Sequence, residues 1–257
     1  MCKQSISYIK LSLYYSLFIL IFTSCQTVKW QVVDSKSVAI PINNSTENTA
    51  DINMKKFIQP FKEQLEKEMN VVIGYTDKDM KVRAPESLMS NFSADVYLNV
   101  AQDKIQEHVD FSIVNIKGLR APIPAGNITV SQIFELMPFE NELVLLWIKG
   151  EELINLFDFF ASIGGEGVAG MKMGIQNGKA VDVLIGGKSL VKDKVYIVAT
   201  NDYLSEGNDG MIQLKNSIKR LNTGVKVRDM LIDYIQNETK QGKSISSELD
   251  GRIYIKK

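Results

Sequence analysis

The sequence predicts a mixed α/β domain, an α+β arrangement of mixed sheet with flanking helices. Short apolar runs such as LVLLWI at residues 143–148 and VYIVAT at residues 195–200 have the length and composition of buried strands. Apolar side chains that recur every four residues, as at Leu88, Phe92 and Val96, are typical of a helix that packs on a core. Because such strands and helices alternate along the chain, an α/β or α+β domain is the expected architecture.

The remaining elements follow from the same two periodicities. The stripe of Phe57, Phe61 and Leu65 predicts a first helix, with Asp51 as its cap. Pro60 inside this stripe indicates either a kink or the start of the main part of the helix. Further helices are predicted at residues 129–136 (with Thr129 as N-cap), 151–160 and 227–236, and further strands at residues 71–75, 111–114 and 252–255, with glycine turns between short strands in residues 163–187.

The first 25 residues have the pattern of a secretory leader. A weakly basic start precedes the apolar run LSLYYSLFILIF at residues 11–22, which is shorter than the roughly 20 apolar residues that span a bilayer. Thr23 and Ser24 directly before Cys25 resemble the bacterial lipobox, in which the cysteine becomes the lipid-bearing first residue of the mature protein. The alternatives are an ordinary signal peptide cut near Ser24 and a short uncleaved anchor.

This pattern predicts three parts along the chain. They are a lipoprotein signal peptide at residues 1–25, a tether at residues 26–50 with a short strand at residues 29–33, and a folded domain at residues 51–257. The lipid would hold the protein at the bacterial cell envelope, facing the periplasm or in the outer membrane. Cys2 and Cys25 are the only cysteines, so the folded domain has no internal disulfide and no thiolate chemistry.

The composition is that of a globular protein and argues against one class of function. Of the 257 residues, 45% are hydrophobic and 23% are charged, and the formal net charge is zero. Nucleic-acid-binding domains normally carry a basic field, so no nucleic-acid partner is expected. A chain of this length can form one domain with a substantial core.

Residues 115–141 contain three side chains suited to binding a small molecule. Arg120 follows a glycine turn, where a backbone can approach a ligand closely. Phe139 and Asn141 lie in a Pro-Phe-x-Asn corner, and aromatic residues in turn-rich segments are well placed for binding. A surface ion pair for Arg120 and core packing for Phe139 are the structural alternatives.

A second turn-rich segment, TNDYLSEGNDG at residues 200–210, adds Tyr203 and Asp209. Together the two segments supply two aromatics, a cation, an amide and an acid. These are the groups needed to hold a nucleoside with a phosphate attached. Asp209 could also serve only as a turn former, and Tyr203 as a core residue.

The motifs and their order resemble the C-terminal domain of the bacterial 5'-nucleotidases, the UDP-sugar hydrolase and ecto-nucleotidase group, over most of the chain after the leader. The family's middle signature, approximately N-x-G-G-x-R, G-[DN]-[IL]-T and P-F-x-N, is similar to NIKGLR, GNIT and PFEN at residues 115–120, 126–129 and 138–141. The later signature, roughly N-[FY]-x-x-x-G-G-D-G, is similar to DYLSEGNDG at residues 202–210. This resemblance implies a 5'-nucleotidase C-terminal-domain-like fold.

The resemblance also implies how the base of a nucleotide is held. Phe139 and Tyr203 match two aromatic rings between which the base lies, and stacking of this kind tolerates different bases. Asn141 matches an amide that bonds the edge of the base.

For the sugar and the phosphate, the resemblance implies three further contacts. Asp209 matches an acid that accepts hydrogen bonds from the ribose hydroxyls, and Arg120 and Arg83 match arginines on the phosphate side. The chain departs from the family pattern nearby. A third family arginine would fall near Asp79, and Asn208 stands where the family has the second glycine before the acid.

In that family the chemistry belongs to a separate N-terminal metallophosphatase domain, which holds two divalent metals with several histidines. This chain has only His108 and none of the histidine motifs of such a domain, so no catalytic residue, metal or cofactor is expected in it. The predicted function is the nucleotide-binding half of a split periplasmic 5'-nucleotidase. Its partner would be a separate dimetal phosphatase subunit, and the N-terminal lipid would be its only contact with a membrane. The alternatives are a stand-alone nucleotide-binding lipoprotein and a degenerate structural domain without ligand.

Overall fold

A computed structural model describes residues 30–41, 43, 46 and 50–257. The chain divides into two units, Met1–Lys55 and Lys56–Lys257, and the candidate site described below lies within the second. The predicted leader, including Cys25, falls outside the described residues. Among the helices that are described, none combines the length and the apolar content needed to cross a membrane.

The described part of the tether contains no strand. Residues 30–41 adopt neither helix nor strand, so the strand expected at residues 29–33 is wrong for residues 30–33. Trp30 and Val33 are 92% and 98% exposed, and a strand needs a neighbour that satisfies its backbone groups.

The first helix, α1, spans Ile52–Met69 and begins where the sequence predicts. Asp51 Oδ1 accepts hydrogen bonds from the backbone N–H groups of Asn53, at 2.7 Å, and Met54, at 3.0 Å, which confirms Asp51 as the cap. The helix continues through Pro60, and none of its residues is buried.

The other predicted helices and strands are present, with ends that differ by a few residues, and several short or polar elements are present that the periodicities do not predict. The later helices are α2 (Leu88–Gln102), α3 (Val130–Leu136), α4 (Gly150–Ser162), α5 (Asp202–Ser205) and α6 (Val227–Lys240), with short 3₁₀ turns at Ile116–Gly118, Asn208–Gly210 and Ile212–Asn216. The strands are β1 (Val72–Thr76), β2 (Phe111–Val114), β3 (Gly126–Thr129), β4 (Glu142–Lys149), β5 (Gly167–Ala169), β6 (Met171–Gln176), β7 (Lys179–Ile185), β8 (Lys188–Ser189), β9 (Val195–Asn201), β10 (Lys219–Lys226) and β11 (Ile253–Ile255).

The strands form three sheets. The central sheet has five strands in the order β10-β4-β9-β2-β5, a second has four in the order β11-β6-β7-β8, and β1 pairs with β3. Within the central sheet β2 and β9 are parallel, whereas β4 is antiparallel to β9. The architecture is therefore the mixed α/β fold that the sequence predicts.

Both faces of the middle of the central sheet are buried, which explains why β4 is apolar at every position from residue 143 to 148. On β4, Leu143 and Leu145 face a core shared with α2 and α6, whereas Val144 and Leu146 face a second core shared with α4 and the four-stranded sheet. A strand that is covered on both faces has a continuous apolar run instead of an alternating one. With both faces covered, the ends of these strands are left for a binding site.

Candidate functional site

Three neighbouring strands of the central sheet bring polar and aromatic residues to one edge. Asn115 and Asn201 lie at the carboxyl ends of the parallel strands β2 and β9. Because β4 is antiparallel to β9, with Leu143 opposite Asn201, the segment that precedes β4 reaches the same edge. That segment carries Phe139 and Asn141. Ligands of α/β sheets commonly bind outside the carboxyl ends of strands.

A cleft of about 360 Å³ opens at this edge, which is within the usual range of roughly 300–1,000 Å³ for small-molecule sites. It is lined by Phe139, Asn141, Tyr203, Asp209 and Arg120. These are five of the six residues assigned to nucleotide binding from the sequence, although they come from segments far apart in the chain. The sixth, the arginine at position 83, does not line it.

Phe139 and Tyr203 expose much of their rings. The two residues are 47% and 42% exposed, so neither is a core residue. Neither ring takes part in the ring–ring contacts formed within residues 50–257, so their faces have no aromatic partner from the described chain. Two such rings in one cleft suit the stacking of a planar base.

The carboxylate of Asp209 is oriented from two sides. Asn115 Nδ2 donates a hydrogen bond to its Oδ2 at 2.7 Å, and the Tyr203 hydroxyl donates to its Oδ1 at 3.0 Å. This hydrogen bond to the carboxylate raises the pKa of the Tyr203 hydroxyl. A carboxylate offers about four acceptor positions, so about two remain for the hydroxyls of a vicinal diol.

The turn that carries Asp209 uses left-handed backbone. Asp209 has φ 53° and Gly210 has φ 85°, a region that aspartate and glycine adopt more readily than most residues. A Cβ at Gly210 would lie 2.6 Å from the ring of Phe159, so only glycine fits there. Asn208, which replaces a family glycine, donates from Nδ2 to the backbone oxygen of Tyr203 at 2.8 Å. The departure from the family pattern thus adds a contact that ties the turn to α5.

The side chain of Asn141 is held by Asp202. Its Nδ2 donates to Asp202 Oδ1 at 2.9 Å, and the same oxygen accepts the backbone N–H of Tyr203 at 2.8 Å. A carboxylate can only accept, so the amide must turn its nitrogen toward Asp202. Its oxygen has no hydrogen-bond partner among the described residues and is left for a donor on a ligand.

The corner that carries Phe139 is attached to the start of α6. Glu140 forms an ion pair with Arg228, and Lys226 Nζ donates to the backbone oxygen of Glu140 at 3.0 Å. The guanidinium carbon of Arg228 lies 4.0 Å from the centre of the Phe134 ring, so the cation is also packed against α3. These contacts connect the position of Phe139 to two helices.

The cations of the cleft are Arg120 and Lys117. Both are exposed, and neither forms an ion pair within the part of the chain that the structure describes. The backbone N–H of Arg120 donates to the oxygen of Leu136 at 2.9 Å, which fixes its main chain beside the end of α3. Lys117 occupies the position of the first glycine in the family signature. This difference from the signature is the feature of the sequence that could have identified Lys117 as a cleft residue. Arg83 is exposed in the segment before α2.

A buried acid, Glu166, lies behind the cleft. It is 4% exposed, and its Oε2 accepts the backbone N–H of Ile116 at 2.6 Å, at the start of the turn that follows Asn115. Burial raises the pKa of Glu166 to about 7, with a further rise from the charge of Asp209, although the hydrogen bond and Lys117 act in the opposite direction. Glu166 belongs to no sequence motif, because it lies in a glycine-rich stretch for which the sequence predicts only turns between short strands.

The residues that the structure describes do not fit a two-metal centre. Nowhere in the described chain do three or more histidine, cysteine, aspartate or glutamate side chains form a group that could hold a metal ion. His108 is exposed between α2 and β2, and it does not line the cleft. The side chains that line the cleft support hydrogen bonding, stacking and charge pairing.

A family model described as "5'-nucleotidase, C-terminal domain" matches residues 72–216. The match covers more than half of the chain and includes every predicted residue that lines the cleft. The chain belongs to this family. The recognition drawn from the signature motifs is thereby confirmed.

The curated relatives are longer than this family member. It is 27% identical to the 5'-nucleotidase of Vibrio parahaemolyticus over 218 residues, which are 80% of this chain and 37% of that protein. It is also 27% identical to the protein UshA of Escherichia coli over 212 residues, or 78% of this chain and 36% of that protein. The chain thus spans little more than a third of the length of these relatives.

Solved structures show the same fold. The crystal structure of the 5'-nucleotidase precursor from Thermus thermophilus matches with a TM-score of 0.68 and 26% identity, over 80% of this chain and 43% of that one. The NAD nucleotidase of Haemophilus influenzae matches with a TM-score of 0.60 and 20% identity, over 80% of this chain and 42% of that one, which shows a shared fold alone. The expected 5'-nucleotidase C-terminal-like fold is confirmed.

Proposed function

We propose that this chain binds the nucleoside part of a nucleotide and presents it to a separate metallophosphatase chain. The cleft is the observation that supports this most. In it, two half-exposed rings, Phe139 and Tyr203, share a small volume with the oriented carboxylate of Asp209. A domain with only a structural role would gain no stability from two exposed aromatic rings beside a carboxylate that hydrogen bonds already orient.

Each part of a nucleotide has a matching group in the cleft. The base stacks between the two rings, and the oxygen of Asn141 accepts a hydrogen bond from the edge of the base. Asp209 accepts from the ribose hydroxyls at its remaining acceptor positions. Arg120, with Lys117 beside it, attracts the phosphate, and the planar fork of the arginine suits bidentate contact with phosphate oxygens.

Bond cleavage in this proposal belongs to a second polypeptide. In the proposal that second chain supplies the dimetal phosphatase site, because the 257 residues contain one histidine and no histidine motif of such a site. A lipid on Cys25 would place the protein at the cell envelope, facing the periplasm or in the outer membrane. If the partner were held at the same membrane, the two proteins would meet at a higher effective concentration. Their association would then be favoured without any additional contact between them.

Calorimetric titration with adenosine and with AMP tests the binding step. We expect both ligands to bind, and AMP to bind more tightly at low salt because of Arg120 and Lys117. Absence of heat at millimolar ligand, with a folded sample, would leave the degenerate structural domain as the better account.

Measuring phosphate release from AMP tests whether nucleotide binding and bond cleavage belong to different chains. The purified chain with manganese or zinc is expected to release none, whereas addition of a stand-alone metallophosphatase from the same organism should restore release. Release by the chain alone, after further purification, would overturn the split arrangement. Tight binding with no partner that restores release would favour a stand-alone nucleotide-binding lipoprotein.

A further inference from the structure

One buried side chain holds the turn of Asn115 from behind. Glu166 Oε2 accepts the backbone N–H of Ile116 at 2.6 Å, across a separation of 50 residues in the sequence. The pairing of β2 with β5 places Val114 opposite Gly167, so Glu166 lies beside the point where the chain leaves β2. The edge strand of the central sheet therefore positions the acid under the cleft.

The same turn is closely packed on its other side. A Cβ at Gly118 would lie 2.7 Å from Asn115 Oδ1, so the side chain of Asn115 covers the glycine with no space between them. Asn115 Nδ2 in turn donates to Asp209, which also accepts from the Tyr203 hydroxyl. A continuous series of contacts thus connects Glu166 to the groups proposed to hold a nucleoside.

We infer that Glu166 is a positioning residue of this cleft, which sets the place of Asn115 and through it Asp209, and which takes up a proton when a nucleoside covers the cleft. This inference rests on the proposed function, because it requires that a nucleoside occupies the cleft. Glu166 lies outside the signature motifs of the family.

The direction of the proton follows from the surroundings of Glu166. Its neighbours are Asp209, whose charge disfavours ionisation, and Lys117, whose charge favours it, and burial already raises its pKa to about 7. A nucleoside over the cleft displaces water from around Asp209, which lines the cleft, and so strengthens the repulsion between its charge and that of an ionised Glu166. The pKa in the complex is therefore higher than in the free protein, so affinity rises as the pH falls through neutrality.

Adenosine is the suitable ligand, because it carries no phosphate and has no group of its own that titrates near neutral pH. We expect titrations at pH 7, in two buffers of different ionisation enthalpy, to show net proton uptake by the wild-type protein. Affinity should increase about 2- to 5-fold between roughly pH 8 and pH 6, as expected from a further pKa shift of about half a unit to one unit.

Two substitutions separate the proton from the hydrogen bond. Glu166→Gln retains an acceptor for Ile116 but cannot titrate, so it should bind adenosine with little pH dependence and no proton uptake near neutrality. Glu166→Leu removes the acceptor and should weaken binding about 10-fold. His108→Gln is the matched control, since it removes the chain's one histidine at an exposed position outside the cleft, and it should retain wild-type proton uptake.

Proton uptake by Glu166→Gln equal to that of the wild type, or wild-type affinity in Glu166→Leu, would overturn the inference. If the wild type bound no adenosine at all, the proposed function would fail separately. Hydrogen exchange in the ligand-free protein would still test the positioning role. The Ile116 amide should exchange slowly in wild type and Glu166→Gln and faster in Glu166→Leu, and equal protection in all three would contradict it.

Discussion

Tyr203 contributes to the cleft through two parts of its side chain. Its ring is a surface for a base, and its hydroxyl orients one oxygen of Asp209. The ring is needed only when a base is present, whereas the hydroxyl acts in the free protein as well. Removing the hydroxyl alone, and then the ring together with the hydroxyl, separates these two contributions.

Tyr203→Ala should weaken adenosine binding by about 5- to 100-fold, because it removes one face of the stack. Tyr203→Phe retains the ring and removes only the hydrogen bond to Asp209, so its loss should stay below about 10-fold. Isothermal titration measures both, and unchanged thermal unfolding confirms that the fold is intact. If the two variants lost equal affinity, the ring would have no stacking role.

Asp209 can be tested through the sugar instead of the base. The wild type should prefer adenosine to 2',3'-dideoxyadenosine, since only the first offers hydroxyls to the carboxylate. Asp209→Asn should reduce that preference by about 10-fold, because an amide has one acceptor oxygen where the carboxylate has two, and the Asn115 amide already donates to this position. Competition between the two ligands measures the ratio directly. An unchanged ratio would place the ribose elsewhere.

For single residues of the cleft, the sequence identified those that belong to a motif. Phe139, Asn141, Tyr203, Asp209 and Arg120 each lie in a short signature, and all of them line the cleft. Glu166 could not be found in this way, because its importance comes from burial beside a turn that is 50 residues away in the chain. Only the register of β2 with β5 brings the two together.

Among the elements, the corner before β4 depends on the start of α6. The Arg228 side chain is 10% exposed, whereas that of Glu140 is 67% exposed, so the two partners of this ion pair differ in their access to water. Arg228 Nε is also buried without a hydrogen-bond partner in the described chain. Removing Glu140 and removing Arg228 should therefore lower the free energy of unfolding by different amounts.

Glu140→Gln should lower the free energy of unfolding by about 1–3 kcal/mol, because it leaves a mostly buried cation without its counter-charge. Arg228→Met keeps an unbranched side chain against Phe134 and leaves Glu140 in water, so it should cost less than Glu140→Gln. Urea unfolding compares the two. A larger loss in Arg228→Met would mean that packing on the Phe134 ring outweighs the charge pair.

The elements that the sequence did not reveal are polar or short. β10 has the sequence KRLNTGVK and no fully buried residue, so it lacks both the apolar run and a clean alternation. β3 ends at Thr129, which is also the N-cap of α3 and whose backbone N–H donates to the side chain of Gln132, so the helix signal conceals the strand. Strands buried on both faces, such as β4, were identified because their composition is unambiguous.

For the whole molecule, Glu166 makes stability depend on pH. Its ordinary pKa of 4.5 is raised to about 7 in the folded protein, so the folded state binds the proton more tightly than the unfolded state does. The resulting stability is fully present below pH 4.5 and is lost as the pH rises through about 7. Over that window the loss attributable to Glu166 is about 3 kcal/mol.

Glu166→Gln should remove that loss. Relative to the wild type, the variant should gain unfolding free energy as the pH is raised from about 5 to 8, since the buried amide carries no charge at either pH. Urea unfolding at several pH values gives the difference, in which the titrations common to both proteins cancel. A difference that stays constant with pH would show that Glu166 does not titrate in this range.

The cleft's dependence on distant strands has a consequence for the order of events during folding. Thr200 on β9 bonds to Ile113 on β2 across 87 residues, and both halves of the cleft lie at the ends of these strands. An emerging polypeptide therefore has no site until the chain has been synthesised beyond Asp209 and β9 has docked. A nucleoside can then act only on a chain that has already folded, so it should slow unfolding without accelerating folding.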